Sequence, residues 1–225
     1  MVAIRDADLG SRCRSWNTKL SPYNKVRPQE HMQTPPPSVP HHEQVFRLYK
    51  ANAPFAGQQC FADYLNQCLR DGDPLAEPWL SARSSLDAMI AHSSLSQSTT
   101  LYRATIDAFV YPYRVGNEIM YPAYMSTTTD EGSLQRHFAC GFRDVPAALL
   151  KIECPPGLPA LDMESDRAFG GHEQEVLLPR GSRFEVLDIS EETDRQVMAE
   201  IISPVYVGAY TLLKTYTLRY ARFDA

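Results

Sequence analysis

Three short stretches of this chain carry the residues best suited to chemistry. In Leu101-Tyr-Arg-Ala-Thr105 an arginine stands inside an apolar, strand-like run. A guanidinium there needs an anion, and its planar fork suits a phosphate or a carboxylate. A structural ion pair would satisfy it equally. In Tyr121-Pro-Ala-Tyr-Met-Ser-Thr-Thr-Thr-Asp130 four hydroxyl residues follow an aromatic segment. On a strand, Ser126 and Thr128 share one face and Thr127 takes the other. Such hydroxyls can orient a carboxylate or hold a sugar, while Thr129-Asp130 can cap a helix starting near Glu131. The third stretch is Phe169-Gly-Gly-His-Glu-Gln-Glu-Val-Leu-Leu-Pro179. A period of two sets Glu173 and Glu175 on one face. Adjacent carboxylates repel, a cost without folding benefit unless a cation or a substrate hydroxyl sits between them. A solvated acidic edge is the plainer alternative.

These residues need a scaffold, and the pattern around them supplies one. His42 to Asn52 carries Val45, Phe46, Leu48 and Tyr49 at helical spacing. Gln58 to Arg70 places Phe61, Tyr64, Leu65, Cys68 and Leu69 on one helical face, and Asp71-Gly-Asp-Pro74 ends it. A third helix is expected over Pro78 to His92, with Trp79, Leu86, Met89 and Ile90 toward the core. From Thr99 onward strands dominate: Leu101–Arg103, Ala148–Cys154, Val176–Leu178, Phe184–Leu187, Val205–Val207 and Tyr210–Tyr220. Helices first and strands later predict an α+β domain rather than an alternating α/β fold.

Composition bounds the function. The chain has 225 residues, 44% hydrophobic and 22% charged, with a net charge of −5. That is enough for one globular domain with a tail. Residues 1–40 hold six of the 17 prolines, and six basic against three acidic residues. With few large aliphatic residues, this segment reads as a disordered, basic, Pro-rich leader. Residues 41–225 form the expected folded domain, and their acidic balance weighs against nucleic acid as a partner. No apolar run reaches the roughly 18 residues of a membrane span, and the first ten residues lack a signal-peptide core. Five cysteines, Cys13, Cys60, Cys68, Cys140 and Cys154, are odd in number and widely spaced. They suggest neither a disulfide framework nor a zinc site, and no metal is expected. Reduced thiols in a cytosol-like compartment are the simplest reading.

In the order Arg, Ser-Thr-Thr, Glu-x-Glu, the three stretches resemble the R-S-E class of mono-ADP-ribosyltransferases. The separations, 23 residues from Arg103 to Ser126 and 49 from Ser126 to Glu175, fit as well. The resemblance covers about residues 43–220 and implies N-terminal helices followed by a mixed or antiparallel, β-sandwich-like core. It implies NAD as co-substrate. Arg103 would hold NAD phosphate and ribose, and Ala104 would stand where backbone groups bind the nicotinamide carboxamide, often a glycine in the family. Ser126 would position the catalytic Glu175, which bonds the nicotinamide-ribose 2′-hydroxyl. Thr127 and Thr128 complete that wall, Thr128 replacing a common second serine. Glu173 matches the upstream glutamate of arginine-specific members. Phe169, Gly170, Gly171 and His172 match the substrate-recognising turn before it. The loop after Ser126 would cover the cofactor, with Arg136, Phe138 and Arg143 as candidates.

The function so implied is transfer of ADP-ribose from NAD to a protein arginine. By analogy the chain would be a bacterial effector or toxin, a monomer exported without a signal peptide and acting on a host protein in a reducing cytosol. Other readings stay open at this stage. The same enzyme could modify Thr, Ser or a nucleic acid, or the fold could bind arginine peptides without NAD chemistry. A glycosidase using Glu173 and Glu175 ranks last, because its carboxylates normally face each other across a sugar.

Overall fold

The computed structural model describes residues 42–51, 60–110, 112–138, 144–164 and 174–223. The expected leader, residues 1–40, lies outside them.

Helix α1 (His42–Lys50) buries Val45, Phe46 and Tyr49. Helix α2 (Phe61–Asp71) buries Phe61, Leu65 and Cys68, at i, i+4 and i+7. Gly72 ends it in the left-handed conformation, φ 72°, with its N–H bonded to the Cys68 carbonyl. Helix α3 (Trp79–Ala91) buries Ala82, Leu86 and Ile90. All three anticipated helices are present, each within three residues of its expected ends.

Eight strands follow: β1 (Thr99–Ile106), β2 (Glu118–Tyr121), β3 (Met125–Thr128), β4 (Val145–Cys154), β5 (Leu161–Asp162), β6 (Glu175–Leu178), β7 (Ser182–Glu192) and β8 (Tyr210–Phe223). Their order is β2-β7-β8-β4-β1-β3-β6-β5. Among the described residues only β4 and β8 pair in parallel, so the sheet is mixed and the domain is α+β, as expected. Two short helices, α4 (Leu134–His137) and α5 (Arg195–Ile201), lie between strands.

The joint between β1 and β3 decides where a site can form. Their ladder is one residue pair, Tyr102 opposite Thr128. By contrast, β1 pairs with β4 along its full length. The sheet therefore divides into two leaves that fold face to face. Met125, Val176 and Leu178 from one leaf share a core with Leu101, Leu150, Phe184 and Leu218 from the other. This is the sandwich-like core, closed on one side by the narrow joint.

Each leaf also buries its outer face. Helices α1–α3 pack on Tyr124, Met163 and Leu177 of the smaller leaf. Helices α4 and α5 contribute Leu134, Met198 and neighbours to a cluster with Ile106, Ala147, Leu149 and Tyr210 of the larger one. Arg180, just past β6, pairs with Asp87 of α3 through two nitrogens at 3.1 Å, and Tyr124, just before β3, donates to the same carboxylate at 2.7 Å. The helical layer thus clamps the ends of β3 and β6. Burial and the adjacent Asp87 charge push the Tyr124 hydroxyl far above its ordinary pKa, so it stays a donor.

One expected strand is absent. Residues 205–207 form a turn that runs into a single 3₁₀ turn, Val207–Ala209, with Tyr206 N–H bonded to the Ser203 carbonyl. Val205 is 80% exposed, so its β-branched side chain has no sheet to fill. The Arg195 guanidinium holds the Val207 and Tyr210 carbonyls and fixes this corner before β8. Along β8 the expected alternation holds: Tyr216, Leu218 and Tyr220 are buried.

Candidate active site

Arg103, Ser126 and Glu175 come from three neighbouring strands, β1, β3 and β6, at the joint. Thr128 lies opposite Glu175, and Ser126 opposite Leu177. Ser126, Thr128 and Glu175 therefore share the face that looks toward the helical layer. The Ser126 Oγ donates to Glu175 Oε1 at 2.5 Å, a short, charge-assisted bond. Arg103 is on the opposite face of β1 by register, yet the opening between β1 and β3 lets its guanidinium through. Its Nη1 donates to the Ser126 carbonyl at 2.7 Å, and its Cζ lies 5.9 Å from the Tyr121 ring centre. Among the described residues it makes no ion pair. A half-buried cation in that position is available to an outside anion.

These residues line one cavity of about 200 Å³ together with Tyr102, Ala104, Thr127, Thr128, Leu134 and His137. Ala104, Ser126, Thr127 and Thr128 are thus at the wall. Two of the hydroxyls are engaged in holding it up. Thr127 Oγ1 donates to the Val176 carbonyl at 2.7 Å, joining β3 to β6. Thr128 Oγ1 accepts from the Asp130 N–H at 3.0 Å and shapes the turn after β3. Asp130 in turn caps that turn by accepting from the Gly132 N–H.

Phe138 does not cover the cavity. Its ring is 1% exposed and meets Tyr210 edge-on at 5.8 Å, while the Tyr210 hydroxyl donates to the Phe138 carbonyl. Leu134 and Phe138 are four apart and turn the same side of this helical turn inward. That spacing was a signal in the sequence, and it leaves His137, three after Leu134, at the cavity instead. The Arg136 side chain and Arg143 lie outside the described residues. So do Phe169, Gly170, Gly171, His172 and Glu173.

The expected alternation from Glu173 to Glu175 stops at Gln174. This residue has φ 48°, in the left-handed region, so the strand geometry begins only at Glu175. Thr129 secures the kink, its N–H on the Gln174 carbonyl and its Oγ1 on Gln174 Oε1 at 2.8 Å. The left-handed residue removes the ground for placing Glu173 on the Glu175 face by period two.

Sequence reasoning also missed Lys50, which sits at the last position of α1. Its Nζ is 2.8 Å from Glu175 Oε2 and 2.9 Å from Glu164 Oε1. No local motif marks it; only the docking of α1 on the β6 leaf brings it there. Its own desolvation opposes the charged form, but the bonds and charges of Glu175 and Glu164 outweigh this and raise its pKa.

A braced carboxylate beside a guanidinium, in a cavity at the joint of the two leaves, suits cleavage of a glycosidic bond next to a phosphate. The carboxylate can stabilise positive charge developing on a ribose, and the guanidinium can hold the anionic remainder. The family comparison agrees. The profile of the ADP-ribosyltransferase exoenzyme family matches residues 61–205, and the chain belongs to that family. It is an NAD-dependent ADP-ribosyltransferase of the toxin type. No curated protein matches the sequence. Among solved structures the fold is similar to Plx2a, an ADP-ribosyltransferase toxin from Paenibacillus larvae, at 16% identity and TM-score 0.58, covering 96% of this chain and 94% of that one. It is similar to the C3 exoenzyme of Clostridium limosum, at 16% identity and TM-score 0.55, covering 80% and 85%. C3stau2 from S. aureus, solved with NAD, matches at 18% identity and TM-score 0.54, covering 79% and 87%.

Proposed function

We propose that this enzyme transfers ADP-ribose from NAD to an arginine of a target protein, and that it acts as a secreted bacterial toxin or effector on a host-cell protein. The observation that carries the assignment of roles is the Ser126–Glu175 bond in the same cavity as Arg103. In this reading Arg103 holds the NAD phosphates and Glu175 bonds the nicotinamide-ribose 2′-hydroxyl, held in place by Ser126. As the bond from C1′ to the nicotinamide nitrogen breaks, its electron pair leaves with neutral nicotinamide and positive charge builds on the ribose beside Glu175. A guanidinium is a poor nucleophile until it loses a proton. Glu173, the upstream glutamate of the Glu-x-Glu pair, orients the target arginine and accepts that proton as the nitrogen bonds C1′.

The test is nicotinamide release by Glu175→Ala and Glu173→Gln, with and without an arginine acceptor. Glu175→Ala abolishes both hydrolysis and protein modification. Glu173→Gln abolishes arginine modification and leaves residual hydrolysis, water replacing the nucleophile. Labelled NAD with a cell lysate, followed by mass spectrometry, identifies the modified residue. Modification of threonine or serine instead would overturn the arginine assignment, and full activity in both variants would overturn the assignment of the site.

A further inference from the structure

Glu175 is gripped from two sides. Ser126 occupies Oε1 and Lys50 occupies Oε2. The Lys50 and Glu175 side chains are 8% and 14% exposed, and that of Glu164 is 20% exposed, so this is an enclosed cluster rather than a surface pair. A lone cation at 2.8 Å would cancel the negative charge that a glycosidic cleavage needs. Here a second carboxylate shares that cation. Of the three groups, Glu175 is the member that lines the cavity.

We propose that Lys50 is a positioning residue for the catalytic carboxylate: it fixes Glu175 Oε2 while Ser126 fixes Oε1, and Glu164, bonded to the same ammonium, draws part of its charge away from Glu175. The inference rests on the assignment of Glu175 made above. Lys50 is not among the cavity-lining residues, so its effect falls on turnover rather than on NAD binding. The two carboxylate oxygens lie 2.9 and 2.8 Å from one nitrogen, hence no more than 5.7 Å apart. Without the ammonium they repel, and protonation of one becomes easier. Among the described residues, the other titratable groups facing Glu175 are Arg103 of β1, Tyr49 of α1, and, across the cavity, Tyr102 and His137. They are unchanged in the variants below.

The experiment measures nicotinamide release by the full chain as a function of pH and NAD concentration. Lys50→Met lowers kcat about tenfold or more with KM within about twofold, and moves the acid limb of the kcat profile up by about one pH unit. Lys50→Met/Glu164→Gln returns that limb toward the wild-type position, because the repelling charge is gone. Lys50→Arg keeps the wild-type limb. Glu164→Gln alone lowers kcat and shifts the limb to lower pH, since the whole ammonium now bears on Glu175; this variant tests the idea even if Lys50→Met does not fold. An unmoved acid limb in Lys50→Met and Glu164→Gln overturns the proposal, as does a change confined to KM, which would make the lysine an NAD ligand. Glu175→Gln is the control: wild-type release there overturns the assignment of Glu175 itself, whereas an inactive Glu175→Gln with unmoved limbs overturns only the role of Lys50.

Discussion

Removing the Ser126 hydroxyl separates catalysis from folding at one strand. Ser126→Ala deletes the 2.5 Å bond to Glu175 Oε1 and leaves Lys50 on Oε2. A hydrogen bond to a charged group contributes about 1.5–3 kcal/mol. At about 1.4 kcal/mol per decade, and with the bond needed as charge develops, kcat falls about 10- to 150-fold. The freed oxygen faces a cavity that water can enter, so the cost in stability is small. The next residue gives the opposite pattern. Thr127 is 4% exposed, and its hydroxyl serves the Val176 carbonyl. Thr127→Val keeps the shape and removes a neutral bond of about 0.5–1.5 kcal/mol. In a domain of this size that is a drop in Tm of about 2–4 °C per kcal/mol, with turnover within about twofold of wild type. The assay pairs initial rates of nicotinamide release with thermal melts of both variants. If Ser126→Ala loses stability and keeps its rate, the hydroxyl is a structural brace and the catalytic reasoning is wrong.

Arg103→Lys keeps the charge but loses the fork, so NAD affinity measured by titration should fall while Tm changes little; unchanged affinity with a large loss of Tm would restore a structural role. A chain beginning at His41 should release nicotinamide at the wild-type rate, and loss of activity there would place residues 1–40 in the fold or the site. Alkaline stability follows from buried acids: desolvation pushes the Cys154 thiol from 9.0 up to about 12, and the Tyr113 and Tyr220 hydroxyls from 10.0 up to about 12. Each folded pKa lies above the unfolded one, so the stabilisation is complete below the unfolded value and is lost as pH rises toward 12. Melts should show stability draining away above pH 9, and in Cys154→Ala this alkaline loss should begin nearer pH 10; parallel curves would show that the thiol does not contribute.

The parts of this molecule that were readable from sequence are those governed by local pattern. Helix α2 shows its buried face at i, i+4 and i+7, α1 and α3 show theirs at helical spacing, and β8 shows its alternation at Tyr216, Leu218 and Tyr220. Arg103, Ser126 and Glu175 were readable as motifs, and the structure brings all three to one cavity. The short strands β2 and β5 gave no signal, because four and two residues are too few to establish a period. Val205–Val207 gave a false one: branched residues favour strands, but Pro204 and Gly208 flank them and a turn prevails. Lys50 was invisible for another reason. It is 125 residues from Glu175, and nothing near it in the chain says which carboxylates it will meet.

The pairing of β3 with β6 makes the active site a matter of reading frame. Met125 and Thr127 point into the space between the leaves, while Ser126 and Thr128 point the other way, toward Glu175. A slip of one residue in β3 exchanges the two sets: methionine would face Glu175 and the cavity, and serine would enter the apolar core. The hydrocarbon that drives β3 into place thereby proofreads the position of the serine. The same coupling makes the chain unevenly tolerant of length change. An added or missing residue between Ala123 and Thr128 would strike packing and catalysis together, whereas one near Gly116, at an open turn with φ 82°, would alter neither face of the strand that holds the hydroxyl.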